Sequence, residues 1–108
     1  AIIHTDCDQR RHIGSALQGF GLEIAFEADS EQDALLRLLE EPVDLIVTEL
    51  DVTASSPAEY VEKLRRASQF AVIVSYGTAD TSHIKEVACN WPPGGPLPAQ
   101  VARMLGLQ

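Results

Sequence analysis

The sequence is short of positive charge, and this shortage narrows the kinds of protein it can be. Its 108 residues contain 8 Lys and Arg against 16 Asp and Glu, which gives a net charge of −8. Binding to nucleic acid or to an anionic membrane surface depends on clustered Lys and Arg. The nearest basic clusters, Arg10-Arg11 and Lys63 to Arg66, fit solvated helix faces better. We therefore expect neither nucleic acid nor membrane as a partner.

Cysteines and long apolar runs are scarce as well. Cys7 and Cys89 are far apart and do not show metal-ligand spacing, so we expect reduced thiols in a cytoplasmic protein, in preference to a disulfide. No apolar run approaches the length of a membrane span, and no signal-peptide pattern follows Ala1. Because the chain opens in an apolar stretch without a Met, we expect residues 1–108 to be a single domain excised from a larger protein.

Strand-like and helix-like segments alternate along the chain. The strand-like segments are Ala1–Ile3, Leu22–Glu27, Leu45–Thr48 and Phe70–Val74. Ser30 and Ser56 are typical helix-capping residues, the second followed by Pro57. The apolar residues expected to face inward from the helices are Ile13, Ala16, Leu17, Phe20, Leu35, Leu38, Leu39, Tyr60, Val61 and Leu64. This alternation predicts a parallel sheet that is covered on both faces.

The pattern weakens towards the end of the chain. Thr81–Ala88 predicts a short helix, whereas Asn90–Pro96 predicts a loop because its prolines cannot lie in a central strand. Pro98 is expected to begin a last helix, with Val101, Met104 and Leu105 as its apolar residues. The fourth helix and the last strand are therefore expected to be atypical.

Polar residues follow the predicted strands at the edge where open α/β sheets keep their ligand sites. His4-Thr5-Asp6 follows the first strand, Glu49 ends the run Pro42 to Glu49, and Ser75 ends the fourth strand. Further matches are Arg10, Gly21 and Gly95-Pro96-Leu97. With these motifs, nearly the whole chain resembles the receiver domain of bacterial two-component response regulators. The resemblance implies a flavodoxin-like three-layer sandwich around a central parallel sheet of strand order 2-1-3-4-5.

The same resemblance assigns a role to each position at this edge. In receivers an acidic pair after strand one and an aspartate ending strand three hold Mg²⁺, and the aspartate accepts a phosphoryl group. A Ser or Thr after strand four binds a phosphoryl oxygen, and a Lys before a Pro after strand five neutralises its charge. The corresponding positions here are His4-Thr5 or Thr5-Asp6, Glu49, Ser75 and, before Pro96, Gly95. Tyr76 stands where the family has a small residue.

These departures predict that the phosphorylation chemistry is lost. Glu49 reaches about one methylene farther than an aspartate, and a misplacement of about 1 Å can cost roughly 100-fold in rate. Loss of the metal ligands and of the Lys removes electrostatic stabilisation as well. We therefore expect no enzyme activity and no Mg²⁺ or other cofactor. The resemblance then implies a signalling domain that acts through a partner protein or an attached output domain, with a homodimer as an open alternative.

Four residues have a second interpretation. Glu49 is either a permanent mimic of a phosphorylated aspartate or a solvated carboxylate at the edge of a loop. His4, Asp6 and Glu49 together are a candidate transition-metal site. Trp91 is either an exposed anchor for a partner or a cover of the core.

Two other functions stay open at this point. One is a phosphorylatable receiver in which Asp6 and Glu49 hold Mg²⁺. The other is an unrelated flavodoxin-like domain that binds a small ligand, although residues His4 to Arg10 include no glycine for a phosphate-binding loop. Cys7 is a candidate redox sensor, but its neighbours Asp6 and Asp8 disfavour the thiolate and favour an inert thiol.

Overall fold

A parallel sheet forms the centre of the molecule. The computed structural model describes residues 1–41, 43–50, 56–77, 81, 84–92, 94–95 and 97–105. The strands are β1 (Ile2–Ile3), β2 (Glu27–Ala28), β3 (Leu45–Thr48), β4 (Val72–Tyr76) and β5 (Val87–Trp91). They lie in the order β2-β1-β3-β4-β5, and each pair of neighbours is parallel. This confirms the predicted strand order and the flavodoxin-like architecture.

The helices cover both faces of this sheet and begin at identifiable capping residues. They are α1 (Cys7–Gln18), α2 (Glu31–Glu40), α3 (Pro57–Ala67) and α4 (Ala99–Met104). The predicted caps are confirmed, because Ser30 Oγ accepts from Asp33 N and Ser56 Oγ accepts from Glu59 N. No helix within the described ranges is long and apolar enough to cross a bilayer.

The core is divided by the sheet into two apolar layers. Successive strand residues face opposite sides, which explains why the central strands are continuously apolar. The layer beneath α2 and α3 includes Ile3, Ile46, Ile73, Ala34, Leu38, Val61 and Leu64. The layer beneath α1 and α4 includes Ile2, Val47, Val74, Ile13, Leu17 and Val101.

Several apolar residues that were predicted to face inward are exposed instead. Leu39 is 74% exposed because α2 buries the stripe of Ala34 and Leu38, and Leu39 lies about 100° farther round the helix. Phe20 is exposed because α1 ends before it, at Gln18. Met104 is also exposed, at the end of α4.

Two predicted strands have different limits. The alternating segment Leu22–Glu27 pairs with β1 only at Glu27, and the strand continues to Ala28, since β1 itself has two residues to pair with it. Phe70 is 94% exposed and precedes β4, which extends to Tyr76.

The predicted helix over Thr81–Ala88 is wrong in the residues that the structure describes. Val87 and Ala88 belong to β5, and turn hydrogen bonds run from Ile84 N to Thr81 O and from Val87 N to Ile84 O. Residues 82 and 83 of that prediction lie outside the described residues. Asn90 and Trp91, predicted as loop, pair with Ser75 and Tyr76 of β4. The prolines follow the strand rather than interrupt it.

The position of β5 predicts different reactivities for the two free cysteines. Cys7 is exposed, whereas Cys89 is half-buried in β5 and its burial raises the pKa of its thiol. Less thiolate and less access both slow alkylation, so we expect iodoacetamide to modify Cys7 severalfold faster in native buffer. Mass spectrometry of the two single-cysteine variants measures the rates. Equal rates in denaturant are the control, and equal rates in native buffer would contradict the placement of Cys89 in a strand.

Candidate functional site

Glu49 follows β3 at the carboxyl edge of the sheet, beside the end of β1. The pairing of Ile3 with Thr48 brings the next residues, His4 and Glu49, side by side, and Glu49 N donates to Ile3 O at 3.0 Å. The Glu49 side chain is only 14% exposed. The register of two short strands therefore sets this carboxylate between neighbouring groups.

Both oxygens of the Glu49 carboxylate have polar neighbours. Oε1 accepts hydrogen bonds from Thr5 N at 2.9 Å and from Thr5 Oγ1 at 2.7 Å. Oε2 lies 3.2 Å from His4 Nε2. Three donor groups thus surround the carboxylate in a site of low exposure. These contacts contradict the interpretation of Glu49 as a solvated carboxylate at a loop edge.

His4 is held by both of its ring nitrogens. Asp6 N donates to Nδ1 at 2.9 Å, so Nδ1 carries the lone pair and Nε2 carries the hydrogen that faces Glu49. The His4 carbonyl accepts from Arg10 Nη1. His4 is buried, and its orientation is fixed by the start of α1 on one side and by Glu49 on the other.

Asp6 has a structural task in this region. Its Oδ1 accepts from Asp8 N at 2.8 Å, which caps α1. Thr5 and His4, rather than Asp6, contact Glu49. Of the two registers left open by the sequence, the structure thus brings His4-Thr5 onto Glu49.

Aromatic rings continue the site along the same edge. The Tyr76 ring meets His4 edge-on with ring centroids 5.6 Å apart, and it meets Trp91 edge-on at 5.7 Å. Such edge-to-face pairs are favourable for aromatic rings. Tyr76 and Trp91 are fully or almost fully buried. Trp91 is therefore part of the core and not an exposed anchor.

The loop after β5 is bonded to these rings through its backbone. Gly94 N donates to Tyr76 Oη at 2.9 Å, and Tyr76 Oη donates to Gln9 Oε1. Gly94 has φ of +73°, a backbone conformation that favours glycine. Gly95 O accepts from Trp91 Nε1 at 2.9 Å and lies 3.0 Å from His12 Nε2.

Ser75 lies on the opposite face of the sheet. Tyr76 packs with Val74, and the alternation of side chains puts Ser75 on the side of Ile73, with its β3 partner Thr48. Ser75 is buried and its Oγ has no hydrogen-bond partner. The structure therefore does not bring the predicted hydroxyl onto Glu49.

Thr48, beside Ser75, belongs to a separate buried contact. Thr48 Oγ1 and Tyr60 Oη lie 2.8 Å apart, and Thr48 Oγ1 also donates to Glu49 O. Burial raises the pKa of Tyr60 above its usual value, and the hydrogen bond with Thr48 partly opposes that rise. Tyr60 thus remains a neutral hydroxyl that anchors α3 to β3.

Comparison with known proteins identifies the fold. No family model and no curated protein matches the sequence. Among solved structures, the chemotaxis response regulator CheY4 of Vibrio cholerae superposes with a TM-score of 0.73 at 16% identity, covering 97% of this chain and 92% of that one. This chain has the receiver-domain fold.

Two further structures support this assignment. The N-terminal domain of a response regulator/sensory box/GGDEF three-domain protein from Carboxydothermus hydrogenoformans gives a TM-score of 0.69 at 15% identity, covering 97% of this chain and 87% of that one. A chain of the Saccharomyces cerevisiae complex of the histidine phosphotransfer protein Ypd1 with the receiver domain of Ssk1 gives 0.67 at 15%, covering 94% and 82%. At these identities the likeness establishes the receiver fold.

Gly95, the position matched to the family's Lys, lies in the turn that follows β5. A Cβ at Gly95 would lie 3.2 Å from Pro92 O. The strand itself ends at Trp91, which also precedes a proline, Pro92. Trp91 therefore lies nearer to the end of β5 than Gly95 does.

The residues at this edge of the receiver fold do not fit Mg²⁺. Mg²⁺ requires near-octahedral oxygen ligands, whereas Oε1 of Glu49 is engaged by Thr5 and the His4 ring lies at its Oε2. Oδ1 of Asp6 is engaged at the start of α1. Across the described part of the chain, no three His, Cys, Asp or Glu side chains converge to form a metal site. The candidate site of His4, Asp6 and Glu49 therefore does not assemble.

Removing the charge of Glu49 tests whether its three donors matter. In Glu49→Gln the amide oxygen can accept from only one side, and the amide nitrogen then faces the Thr5 or His4 donors. We expect a loss of about 1–3 kcal/mol in the free energy of unfolding. Chemical denaturation measures it. The exposed Glu23→Gln is the matched control, with an expected change within about 0.5 kcal/mol; equal effects in both variants would show that Glu49 is not held as described.

Proposed function

We propose that this chain is a signalling domain of a two-component or phosphorelay system that works without being phosphorylated. It acts through contact with a signalling protein or with an attached output domain. The observation that carries the proposal is the engagement of the Glu49 carboxylate by Thr5 and His4. A nucleophile for phosphoryl transfer needs a free oxygen directed at the donor, with cations around it. Glu49 has neutral donors instead.

The aromatic neighbours of Glu49 support the same proposal. A transferred phosphoryl group carries negative charge that Mg²⁺ and Lys neutralise in a reactive site. In this chain the His4 ring follows β1, Tyr76 follows Ser75 and meets that ring, and Trp91 at the end of β5 meets Tyr76. The position matched to the Lys is Gly95. Lys63, one of the chain's two lysines, pairs with Glu31 between α2 and α3, and Lys85 is exposed before β5. None of these groups supplies the positive charge that the reaction needs.

The structural neighbours support action by protein contact. The yeast complex holds a receiver domain against a histidine phosphotransfer protein, and the Carboxydothermus domain belongs to a three-domain protein. Both arrangements use the receiver fold as a contact module. We carry over to this chain only the type of partner, a signalling protein or a covalently attached domain.

A phosphodonor experiment tests the loss of chemistry. We expect no mass increase of one phosphoryl group after incubation with a small acyl phosphate and Mg²⁺, measured by intact-protein mass spectrometry. A phosphorylatable receiver domain treated in parallel is the positive control. Glu49→Asp should also stay unmodified, because His4 and Thr5 remain beside the shortened acid. A phosphoryl adduct that Glu49→Gln abolishes would establish the alternative, a phosphorylatable receiver.

A substitution at Ser75 distinguishes the proposed function from the hypothesis that Glu49 permanently mimics a phosphorylated aspartate. A carboxylate that imitates the phosphorylated state would engage the hydroxyl after strand four, but Ser75 Oγ has no partner and Glu49 is bonded elsewhere. Removing a buried hydroxyl that makes no hydrogen bond costs little. We therefore expect Ser75→Ala to change the free energy of unfolding by less than about 0.5 kcal/mol or to raise it. A loss of about 1–3 kcal/mol would show a satisfied hydroxyl and support the mimic.

A further inference from the structure

A shallow groove lies between α2 and α3, on the face of the sheet opposite the aromatic rings of the Glu49 site. Its volume is about 270 Å³, and its lining residues are Leu35, Leu39, Ala67, Lys63 and Arg66. Leu35 and Ala67 pack against the core, so the floor of the groove is continuous with it. The walls combine apolar side chains with two cations on α3.

The leucines of α2 leave an apolar surface beside this groove. Leu39 is 74% exposed and Leu36 is 65% exposed. Residues 35, 36 and 39 are neighbours on a helix because i, i+3 and i+4 positions share a face. A cluster of exposed leucines at a groove marks an interaction surface more often than a single exposed apolar residue does.

The charged side chains that line the groove are cations, whereas the whole protein has a net negative charge. Lys63 Nζ lies 3.5 Å from Glu31 Oε1, and Arg66 Nη2 donates to Glu62 Oε1 at 2.6 Å. The Lys63 side chain is 48% exposed and the Arg66 side chain is 76% exposed. An ammonium has three donors and a guanidinium five, so each keeps donors for a further carboxylate. In a chain of net charge −8, the two charged side chains that line this groove are therefore both cations, each beside one carboxylate.

We propose that the groove binds an acidic amphipathic helix of a protein partner. Apolar side chains of that helix enter between Leu35, Leu39 and Ala67, and its carboxylates face Lys63 and Arg66. A groove between two helices suits a third helix with anchors at i, i+4 and i+7. The proposal rests on the proposed function by protein contact and names the surface that performs it.

A second copy of the chain fits the groove less well. In a two-fold contact the same patch meets itself, so Lys63 and Arg66 of both copies would enter one closed interface. Like charges in a closed interface are unfavourable. Nucleic acid and anionic membranes need more basic surface than two residues offer to overcome the net negative charge.

A designed peptide pair tests the proposal. One peptide is an amphipathic helix with leucines at i, i+4 and i+7 and glutamates beside them, and the second replaces each glutamate with lysine. Fluorescence anisotropy of the labelled peptides measures affinity. The net charge of −8 alone would favour the lysine peptide. We nevertheless expect the glutamate peptide to bind more tightly, because its carboxylates face Lys63 and Arg66. The double variant Lys63→Glu/Arg66→Glu should reverse the order.

Two matched variants locate the binding. Leu39→Asp should weaken the glutamate peptide by about tenfold or more, because it puts a charge on the apolar wall. Phe70→Asp places the same charge at another exposed apolar residue, outside the groove lining, and should leave the affinity unchanged. Circular dichroism confirms that both variants fold.

Three outcomes would overturn the proposal. They are tighter binding of the lysine peptide, an unchanged affinity in Leu39→Asp, and self-association of the free chain that Leu39→Asp abolishes, which would assign the groove to a second copy. The phosphodonor experiment is independent of these readouts. If the peptide experiment fails and the phosphodonor experiment gives no phosphoryl adduct, the groove is not the docking surface but the proposed function still stands.

Discussion

The hydrogen bonds to the Glu49 carboxylate are the interaction on which the rest of this sheet edge depends. Two hydrogen bonds from Thr5, with His4 Nε2 at 3.2 Å, surround a carboxylate that is largely withdrawn from water. His4 can make its contact only because Asp6 N occupies its other nitrogen, which ties the start of α1 to the end of β3. The fixed His4 ring then sets the edge against which Tyr76 packs, and Tyr76 in turn meets Trp91. One carboxylate thus organises three strand ends.

The negative charge at this edge is accommodated differently from that in a reactive receiver domain. A reactive receiver gathers several carboxylates and offsets them with Mg²⁺ and Lys. Among the described residues of this edge, the Glu49 carboxylate is held by hydrogen bonds from Thr5. Beside it lies the His4 ring, followed in series by the rings of Tyr76 and Trp91.

The resemblance to receiver domains implied the strand order, and the apolar run Leu45–Thr48 predicted by local pattern alone that Glu49 ends the third strand. The sequence did not predict the exposure of Leu39 or Phe70, since composition cannot tell which apolar residues the helices turn outward. β5 was missed because the prolines after Trp91 masked its apolar pattern. The contact of Tyr76 with His4 and Trp91 joins residues far apart in the chain, and pattern within a short window carries no information about it.

The polar groups at this edge of the sheet lie on two different faces of the sheet. Glu49, His4, Tyr76 and Trp91 belong to the side covered by α1 and α4, whereas Ser75 and Thr48 face the side covered by α2 and α3. A signal in an active receiver must join these sides through the phosphoryl group and the hydroxyl. With Ser75 Oγ unbonded and Glu49 turned to Thr5 and His4, no hydrogen bond between these side chains links the two sides. A domain built in this way is suited to present fixed surfaces to a partner, and the exposed leucines of α2 lie on the side that the Glu49 network does not constrain.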